Sequence, residues 1–459
     1  MGLLTIGAML PDEWSKRLVD LNVRKLNEDD LSWADLAFIS GMNVQRSSAH
    51  HLIRRCKAAG LKVIAGGPLF TSEYREFEQV DHFVLNEAEL TLPPFLEDLE
   101  RRCLKRVYET SDFADIQKTP APLWDLADLE KYASMSIQFS RGCPFQCDFC
   151  NVTALFGHKP RVKTAEQIIF ELDCLYNIGW RGQIFFVDDN FIGNKKKVRT
   201  QLLPALIEWK KEKRGIMFST EVSMDLADDK PLMELMVKAG FDAVFTGIET
   251  PAEECLAECK KKPNEKRNLI QSVKHIQQAG LQVQGGFIVG FDYDTHSIFQ
   301  RQIDFIQKSG VVIAMVAMLQ APSGTELYKR MKREGRLLGH MSGDTDGTTN
   351  IIPKMGVEAL REGYRNILSS IYSPRLYYKR VKLFLREYKA PKTEISMDFQ
   401  SFIAFFRSIP HLGILGRERL HYWALLFWTL FRRPELLPLA LRYAIYGYHF
   451  RKICELHIF

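Results

Sequence analysis

The stretch Ser136-Ile-Gln-Phe-Ser-Arg-Gly-Cys-Pro-Phe-Gln-Cys-Asp-Phe-Cys150 decides the fold. An apolar, strand-like run from Met135 to Phe139 is broken by Arg141-Gly142. Cys143, Cys147 and Cys150 then follow on one loop. Three thiolates at this spacing suit three irons of a [4Fe–4S] cluster. A fourth Cys would close the cluster as an electron carrier. Three leave one iron with an open position, where chemistry can occur. The competing reading is a zinc knuckle short of one ligand. Structural zinc usually shows two Cys/His pairs, and no second pair lies nearby. The next Cys, Cys174, falls inside a helical pattern. The iron–sulfur reading is the stronger of the two.

A chain of 459 residues is too long for one compact core, so two or three domains are expected. The 46% hydrophobic fraction suits large globular cores. Nine Cys, an odd number, and an opening Met1–Pro11 without basic residues or a cleavage site suggest a reducing, cytoplasmic setting. The net charge of +6 hides a division. Residues 351–459 carry 18 Lys/Arg and 8 Asp/Glu, or +10, which leaves −4 for the rest. The tail is a distinct basic, aromatic module.

Before the cysteine loop, strands are expected at Arg17–Asp20, Ala37–Gly41, Lys62–Gly67 and His82–Leu85, with a helix over Ser47–Gly60. The alternation predicts a parallel, doubly wound sheet, whose ligands bind beyond the strand C-termini. Ser40-Gly41, Gly66-Gly67 and Asn86-Glu87 fall there, and glycines at such tips let a flat ligand approach the backbone. A helix over Pro94–Val107 and a linker at Thr119–Pro122 close this part.

From Ser136 onward strands and helices alternate for about six rounds. Strands are expected at Gln183–Val187, Met217–Glu221, Ala243–Gly247, Gln282–Gly290 and Ile313–Met318. Helices are expected at Glu166–Asn177, Lys230–Ala239 and Lys266–Ala279, with Gly179, Gly240 and Gly280 as stops. This pattern gives a partial (β/α)6 barrel with its chemistry at the C-terminal strand ends. Cys255 and Cys259, on a charged helix, read as structural. Residues 342–350 read as a loop, and a helix-rich tail follows.

The Cys143/Cys147/Cys150 loop, with the aromatic Phe149 before the last Cys, resembles the radical S-adenosylmethionine (SAM) signature. The first part, with its Ile-Ser-Gly-Met and Ala-Gly-Gly-Pro turns, resembles the cobalamin-binding domain that precedes many such barrels. The tail resembles the C-terminal extension of a cobalamin-type subfamily that includes hopanoid methylases. The fold class implied is α/β: a Rossmann-like cobalamin-binding-type domain at 1–122, a radical SAM partial barrel at 123–345 and a helical C-terminal domain at 346–459. There is no Asp-x-His-x-x-Gly motif, so no lower-face His ligand is supplied that way. Gly2–Leu10 resembles the family's first helix, and the strand expected before it is missing. Four strands before Pro93, with an empty central slot, follow as the expectation.

The resemblance also assigns the site. Cys143, Cys147 and Cys150 would hold the cluster. Asp188, with Asp189 and Asn190, stands where relatives hold the amino end of SAM. Glu221 ends the third strand, and Ser223 stands where many relatives have Arg. Glu249 resembles the Gly-Ile-Glu-Ser contact to the ribose or methionine part. Gly286 matches the strand-five glycines, while Pro322 and Gly324 resemble the loop whose backbone meets adenine. Ser40, Gly41, Gly66, Gly67 and Glu87 would face cobalamin. No catalytic residue beyond the ligands is implied, because the cofactors carry the hard step.

Three functions follow. The first is cobalamin-dependent methylation of an unactivated carbon, in which SAM yields a 5′-deoxyadenosyl radical and also supplies the methyl group. The second is C–C bond formation or rearrangement without methyl transfer. The third is a non-catalytic iron–sulfur protein. A methylthiotransferase is disfavoured, since only Cys56 and Cys103 lie in the first domain. The substrate expected is small and apolar or lipid-like, and an electron donor such as a flavodoxin or ferredoxin is implied. No recognition motif for nucleic acid appears. The apolar run Leu420–Phe431 is too short to span a bilayer, and Arg417, Arg419, Arg432 and Arg433 flank it. It reads as a core helix with snorkelling arginines or as an interfacial helix touching a membrane, with packing the favoured reading.

Overall fold

A computed structural model describes residues 1–390 and 399–458, with backbone alone for 399–402. The chain forms two compact units, Met1–Thr220 with Gln320–Gly343 and Glu221–Leu319 with Asp344–Phe459.

In the first unit, β1 (Leu36–Ser40), β2 (Lys62–Gly66), β3 (His82–Val84) and β4 (Val107–Tyr108) form a parallel sheet in that order. Both faces are covered, as a doubly wound sheet requires. Val63, Ala65, Phe83 and Ile39 enter one apolar cluster with Ile53, Leu69 and Phe70. Ile64, Val84 and Tyr108 enter another with Leu92 and Phe95.

Three expectations are corrected here. Arg17–Asp20 is not a strand. Side chains hold it instead: Arg17 donates to Asp30 at 3.2 Å, and Asp20 accepts from the Tyr132 hydroxyl at 3.0 Å. A short apolar run becomes a strand only where a ladder partner exists. Second, three strands, not four, precede Pro93, and the fourth lies after it. The paired strands leave no gap between them, and β1 forms one edge of the sheet. Third, the helix expected over Pro94–Val107 runs over Ala88–Glu100 with Pro93 and Pro94 inside it. Val107 instead pairs in β4 with Phe83.

The first unit continues with β5 (Ser134–Ile137), β6 (Ser140–Arg141), β7 (Arg161–Val162), β8 (Gln183–Phe186) and β9 (Met217–Glu221). Pairing is parallel for β5 with β8 and for β8 with β9. The short β6 and β7 pair antiparallel, Arg141 opposite Arg161. In the second unit, β10 (Phe241–Glu249), β11 (Gln282–Val289) and β12 (Ala314–Met318) are parallel neighbours. In chain order a helix lies between each of the strands β5 and β8–β12 and the next, and another follows β12; this is the (β/α)6 pattern expected, with the β6–β7 hairpin inserted after β5. Helices at Ala165–Asn177, Lys230–Ala239 and Leu269–Ala279 match expectation within three residues. Gly240 and Gly280 end theirs in the left-handed conformation. Cys255 and Cys259 are buried.

The tail is helical. Arg380 is fully buried and donates to the carbonyls of Ile371 at 2.9 Å and Val312 at 3.3 Å. Its guanidinium lies 5.2 Å from the Tyr377 ring centroid. The Tyr377 hydroxyl donates to the Tyr443 carbonyl at 2.6 Å. These bonds join the Pro374–Glu387 helix to the strand-side layer and to the last helix of the same unit.

Candidate active site

The cysteine loop is built from its base. β6 and β7 pinch the chain at Ser140–Val162 and Arg141–Arg161, so residues 143–160 leave and return at one point. Gly142, at φ +92°, sits where a Cβ would stand 2.9–3.1 Å from the carbonyls of Gly157, Phe156 and Lys159. Only glycine meets both conditions. The Cys143 amide donates to the Gly157 carbonyl at 3.3 Å, and the Cys150 amide to the Cys147 carbonyl at 3.1 Å. All three cysteines are half-buried and none is in a disulfide. Phe149 is half-buried beside them.

The aspartates after β8 hold this base. Asp188 is buried and accepts from the amides of Phe139, at 3.2 Å, and Ser140. Burial pushes its carboxyl up to about 7 despite those bonds. Asp189 accepts from the Gly142 amide at 3.2 Å, and burial raises its carboxyl as well. Asp188 therefore engages the backbone that carries the cysteines.

Two ion pairs, neither anticipated from sequence, clamp the same base. Arg161 donates to both oxygens of Glu87, at 2.6 and 2.7 Å. Arg141 donates to both oxygens of Glu89, at 2.7 and 3.1 Å. Burial opposes ionisation of Glu89, yet the Arg141 bonds hold its carboxyl below the usual range. Bidentate Arg–carboxylate pairs are the strong, directional kind. Glu87 also accepts from the Ala114 amide at 2.6 Å. Glu87, expected to face cobalamin, thus spends both oxygens on Arg161 and Ala114, although it also lines the cavity described next.

A cavity of about 860 Å³ opens within this unit. Its walls include Ser40, Gly41, Gly66, Gly67 and Glu87 from the sheet tips, Leu18–Asn22, and Gln138, Arg141 and Asp189 beside the cysteine strand. The volume sits in the upper part of the usual range for ligand sites, about 300–1,000 Å³. Added Cβ atoms at Gly66 and Gly67 would collide with the Val84 carbonyl and the Ser40 hydroxyl. Close backbone packing thus already requires these glycines. Among the described residues, no His lines the cavity.

Pro322 and Gly324 lie in the same unit as the cysteines. Thr325 caps the Glu326–Arg333 helix, and its hydroxyl donates to the Pro322 carbonyl at 2.7 Å. The Leu327 amide donates to the Asp148 carbonyl at 2.9 Å, which ties this helix to the cysteine loop. Gly324, at φ +86°, has only Ala154 within 4 Å of its missing Cβ.

The second unit holds the other expected residues. Glu249 ends β10 at φ +63°, a left-handed conformation costly for a residue with a Cβ. Such strain gathers at functional positions. Its carboxylate pairs with Lys261 at 2.6 Å. Asn264 donates to the carbonyls of Gly247 and Ile248, at 2.9 and 3.0 Å, and so fixes the bend in β10. Lys261 and Asn264 carried no signal in the sequence. A Cβ on Gly286 would lie 2.9 Å from the Phe245 ring, so packing explains this glycine. Glu221 is half-buried at the end of β9, and the Ser223 hydroxyl donates to Asp225. Among the described residues, no helix is long and apolar enough to cross a membrane.

The family description "Radical SAM superfamily" matches residues 137–306, and "Domain of unknown function (DUF4070)" matches residues 325–458. The chain is 40% identical to an uncharacterized methyltransferase of Synechocystis sp., over 99% of this chain and 86% of that protein. It is 35% identical to the hopanoid C-2 methylase of Rhodopseudomonas palustris, over 92% of this chain and 82% of that one. In fold it is similar to the cobalamin-dependent S-adenosylmethionine radical enzyme OxsB with aqua-cobalamin bound. The TM-score is 0.59 at 17% identity, covering 92% of this chain and 73% of that chain. It is also similar to the methyltransferase TsrM from Kitasatospora setae with cobalamin and a [4Fe–4S] cluster bound. There the TM-score is 0.57 at 13% identity, covering 89% and 88%. The three-cysteine loop, the (β/α)6 order and these identities agree: the chain belongs to the radical SAM enzymes, in the family with a C-terminal extension that includes the uncharacterized methyltransferase of Synechocystis sp. and the hopanoid C-2 methylase.

Proposed function

We propose that the protein is a cobalamin-dependent radical SAM methyltransferase acting on an unactivated carbon of a small, apolar, lipid-like substrate. The observation that carries this reading is the cavity of about 860 Å³, because one wall comes from the sheet tips and another from the strand that leads into the three cysteines. The modules proposed are residues 1–122 for cobalamin, 123–345 for SAM and the cluster, and 346–459 as the extension. When bound, the cluster with SAM supplies a 5′-deoxyadenosyl radical, and cobalamin supplies the methyl group.

The chain's residues position and shield. Cys143, Cys147 and Cys150 would hold three irons and leave the fourth to SAM. Gly142 lets the loop turn under three carbonyls, and Asp188 and Asp189 fix its entry by accepting backbone amides. Glu87 and Glu89 fix Arg161 and Arg141 on either side of the loop. Phe149, Glu221, Glu249, Gly286, Pro322 and Gly324 are proposed SAM-site residues, while Ser40, Gly41, Gly66 and Gly67 are proposed to border cobalamin. The apolar part of the cavity wall, including Leu3, Leu4, Met9, Phe38 and Leu52, excludes water from that side. A flavodoxin or ferredoxin would supply the electron.

Anaerobic reconstitution with iron, sulfide, cobalamin, SAM and reductant tests the reading. Release of 5′-deoxyadenosine together with S-adenosylhomocysteine supports methylation. Release of 5′-deoxyadenosine alone points to C–C bond formation or rearrangement. Neither product points to a non-catalytic iron–sulfur protein.

A further inference from the structure

The Pro374–Glu387 helix carries Arg375, Lys379, Lys382 and Arg386 at i, i+4, i+7 and i+11, so the four lie on one stripe. Among the described residues none of the four side chains has a carboxylate partner. The helix's one acidic residue, Glu387, is engaged by Lys274 at 3.1 Å. The Arg419–Arg432 helix repeats the same spacing with Leu420, Ala424, Phe427 and Phe431. Leu420, Phe427 and Phe431 are 78%, 54% and 80% exposed. Its opposite face, with Tyr422, Leu425, Leu426 and Thr429, is buried. A helix on a water-facing surface shows polar residues outward. This one is apolar on both sides and packs only one of them.

The two helices are locked together. The Tyr378 and His421 rings stack with centroids 5.9 Å apart. Arg433 donates to the carbonyls of Leu385 and Tyr388, each at 3.1 Å. Between the helices lies a recess of about 410 Å³, lined by Lys382, Arg386, Trp428, Arg432 and Arg433. Burial lowers the Lys382 ammonium, a cost that a bound anion would relieve. Trp428 brings an amphipathic ring of the kind enriched at membrane–water boundaries.

We propose that this face docks on an anionic membrane surface. The basic recess takes lipid phosphate groups, and the Leu420–Phe427–Phe431 stripe enters the acyl boundary. Charge complementarity selects this occupant. A second copy meeting the face symmetrically would bring unpaired cations against their own kind. A nucleic acid would meet the cations and leave the phenylalanines without a partner. The inference does not depend on which reaction the enzyme performs.

Flotation of the full chain tests it, using vesicles of phosphatidylcholine alone and of equal parts phosphatidylcholine and phosphatidylglycerol. The protein is expected to float with the anionic vesicles and to stay behind with the neutral ones. Lys382→Glu with Arg386→Glu is expected to lower the bound fraction roughly tenfold. Phe427→Ser with Phe431→Ser is expected to lower it several-fold, with unchanged melting temperatures in both variants. Equal flotation with both vesicle types overturns the proposal. So does displacement by millimolar inorganic phosphate, which would mark a free-anion site. A dimer in sedimentation velocity that Phe427→Ser with Phe431→Ser dissolves would assign the stripe to a second copy and overturn it too.

Discussion

Arg141 and Arg161 at the base of the cysteine loop, and Lys382 and Arg386 on the Pro374–Glu387 helix, are all basic, but their surroundings differ. In the first region each guanidinium meets a carboxylate through two bonds, and the carboxylates of Glu87 and Glu89 are nearly buried. In the second, four cations share one stripe and meet no carboxylate among the described residues. Pairing spends charge on geometry, since an arginine held at both nitrogens cannot swing toward a ligand. Unpaired charge is left for something outside the chain. The same residue type thus fixes a loop in one place and leaves an anion-seeking surface in the other.

The largest effect is expected within the first region. Cys143→Ala, Cys147→Ala or Cys150→Ala should abolish reductive SAM cleavage, because two thiolates hold a cubane poorly. Iron content and 5′-deoxyadenosine release after reconstitution measure this. A triple variant that keeps four irons and still cleaves SAM would place the cluster elsewhere.

Removing one carboxylate makes the first region resemble the second. Glu87→Gln strips Arg161 of its partner in a site where Glu87 is 2% exposed at its side chain. Breaking a buried pair from one side costs about 3 kcal/mol. Chemical denaturation should show that loss, and reconstituted iron content should fall with it. A shift within about 0.5 kcal/mol, as on an ordinary surface, would mean that the pair does not hold the loop.

Asp188 gives a pH-dependent effect. Its carboxyl is raised to about 7, chiefly by burial. A raised acid contributes stability that is fully present below its unfolded value near pH 4. That contribution is lost as pH rises through about 7. Wild type should therefore lose stability relative to Asp188→Asn between about pH 4 and 7, by at most about 1.4 kcal/mol per pH unit. Urea midpoints across that range test it, and a flat difference would contradict burial as the dominant cause. The smallest effect belongs to the second region: Lys382→Gln with Arg386→Gln should change stability by no more than about 0.5 kcal/mol.

What sequence could reveal follows the same division. The cysteine loop was legible because its ligands lie within eight residues and their spacing is itself the signal. Helix ends at Gly240 and Gly280 were legible because left-handed caps favour glycine. The Glu87–Arg161 pair was not, since its partners lie 74 residues apart and meet only through the fold. Lys261 was hidden for the same reason, twelve residues beyond the carboxylate it binds. Arg17–Asp20 misled because a short run with the apolar pair Leu18-Val19 suits a strand, while pairing depends on a neighbour that local sequence cannot supply. Pro94 misled because a proline suits a first helical turn, yet this helix opens six residues earlier at Ala88. The tail's apolar run offered two readings, a packed helix and an interfacial one, and the fold gives the helix both a packed face and an exposed one.

Everything proposed for the first region depends on three cysteines leaving one iron open to SAM. Electron paramagnetic resonance of the reduced, reconstituted protein, recorded with and without SAM, tests it most directly. A [4Fe–4S] signal that shifts when SAM is added is expected, and no such signal in the Cys143/Cys147/Cys150→Ala variant. A cluster signal that SAM leaves unchanged, or one that survives the triple substitution, would contradict it.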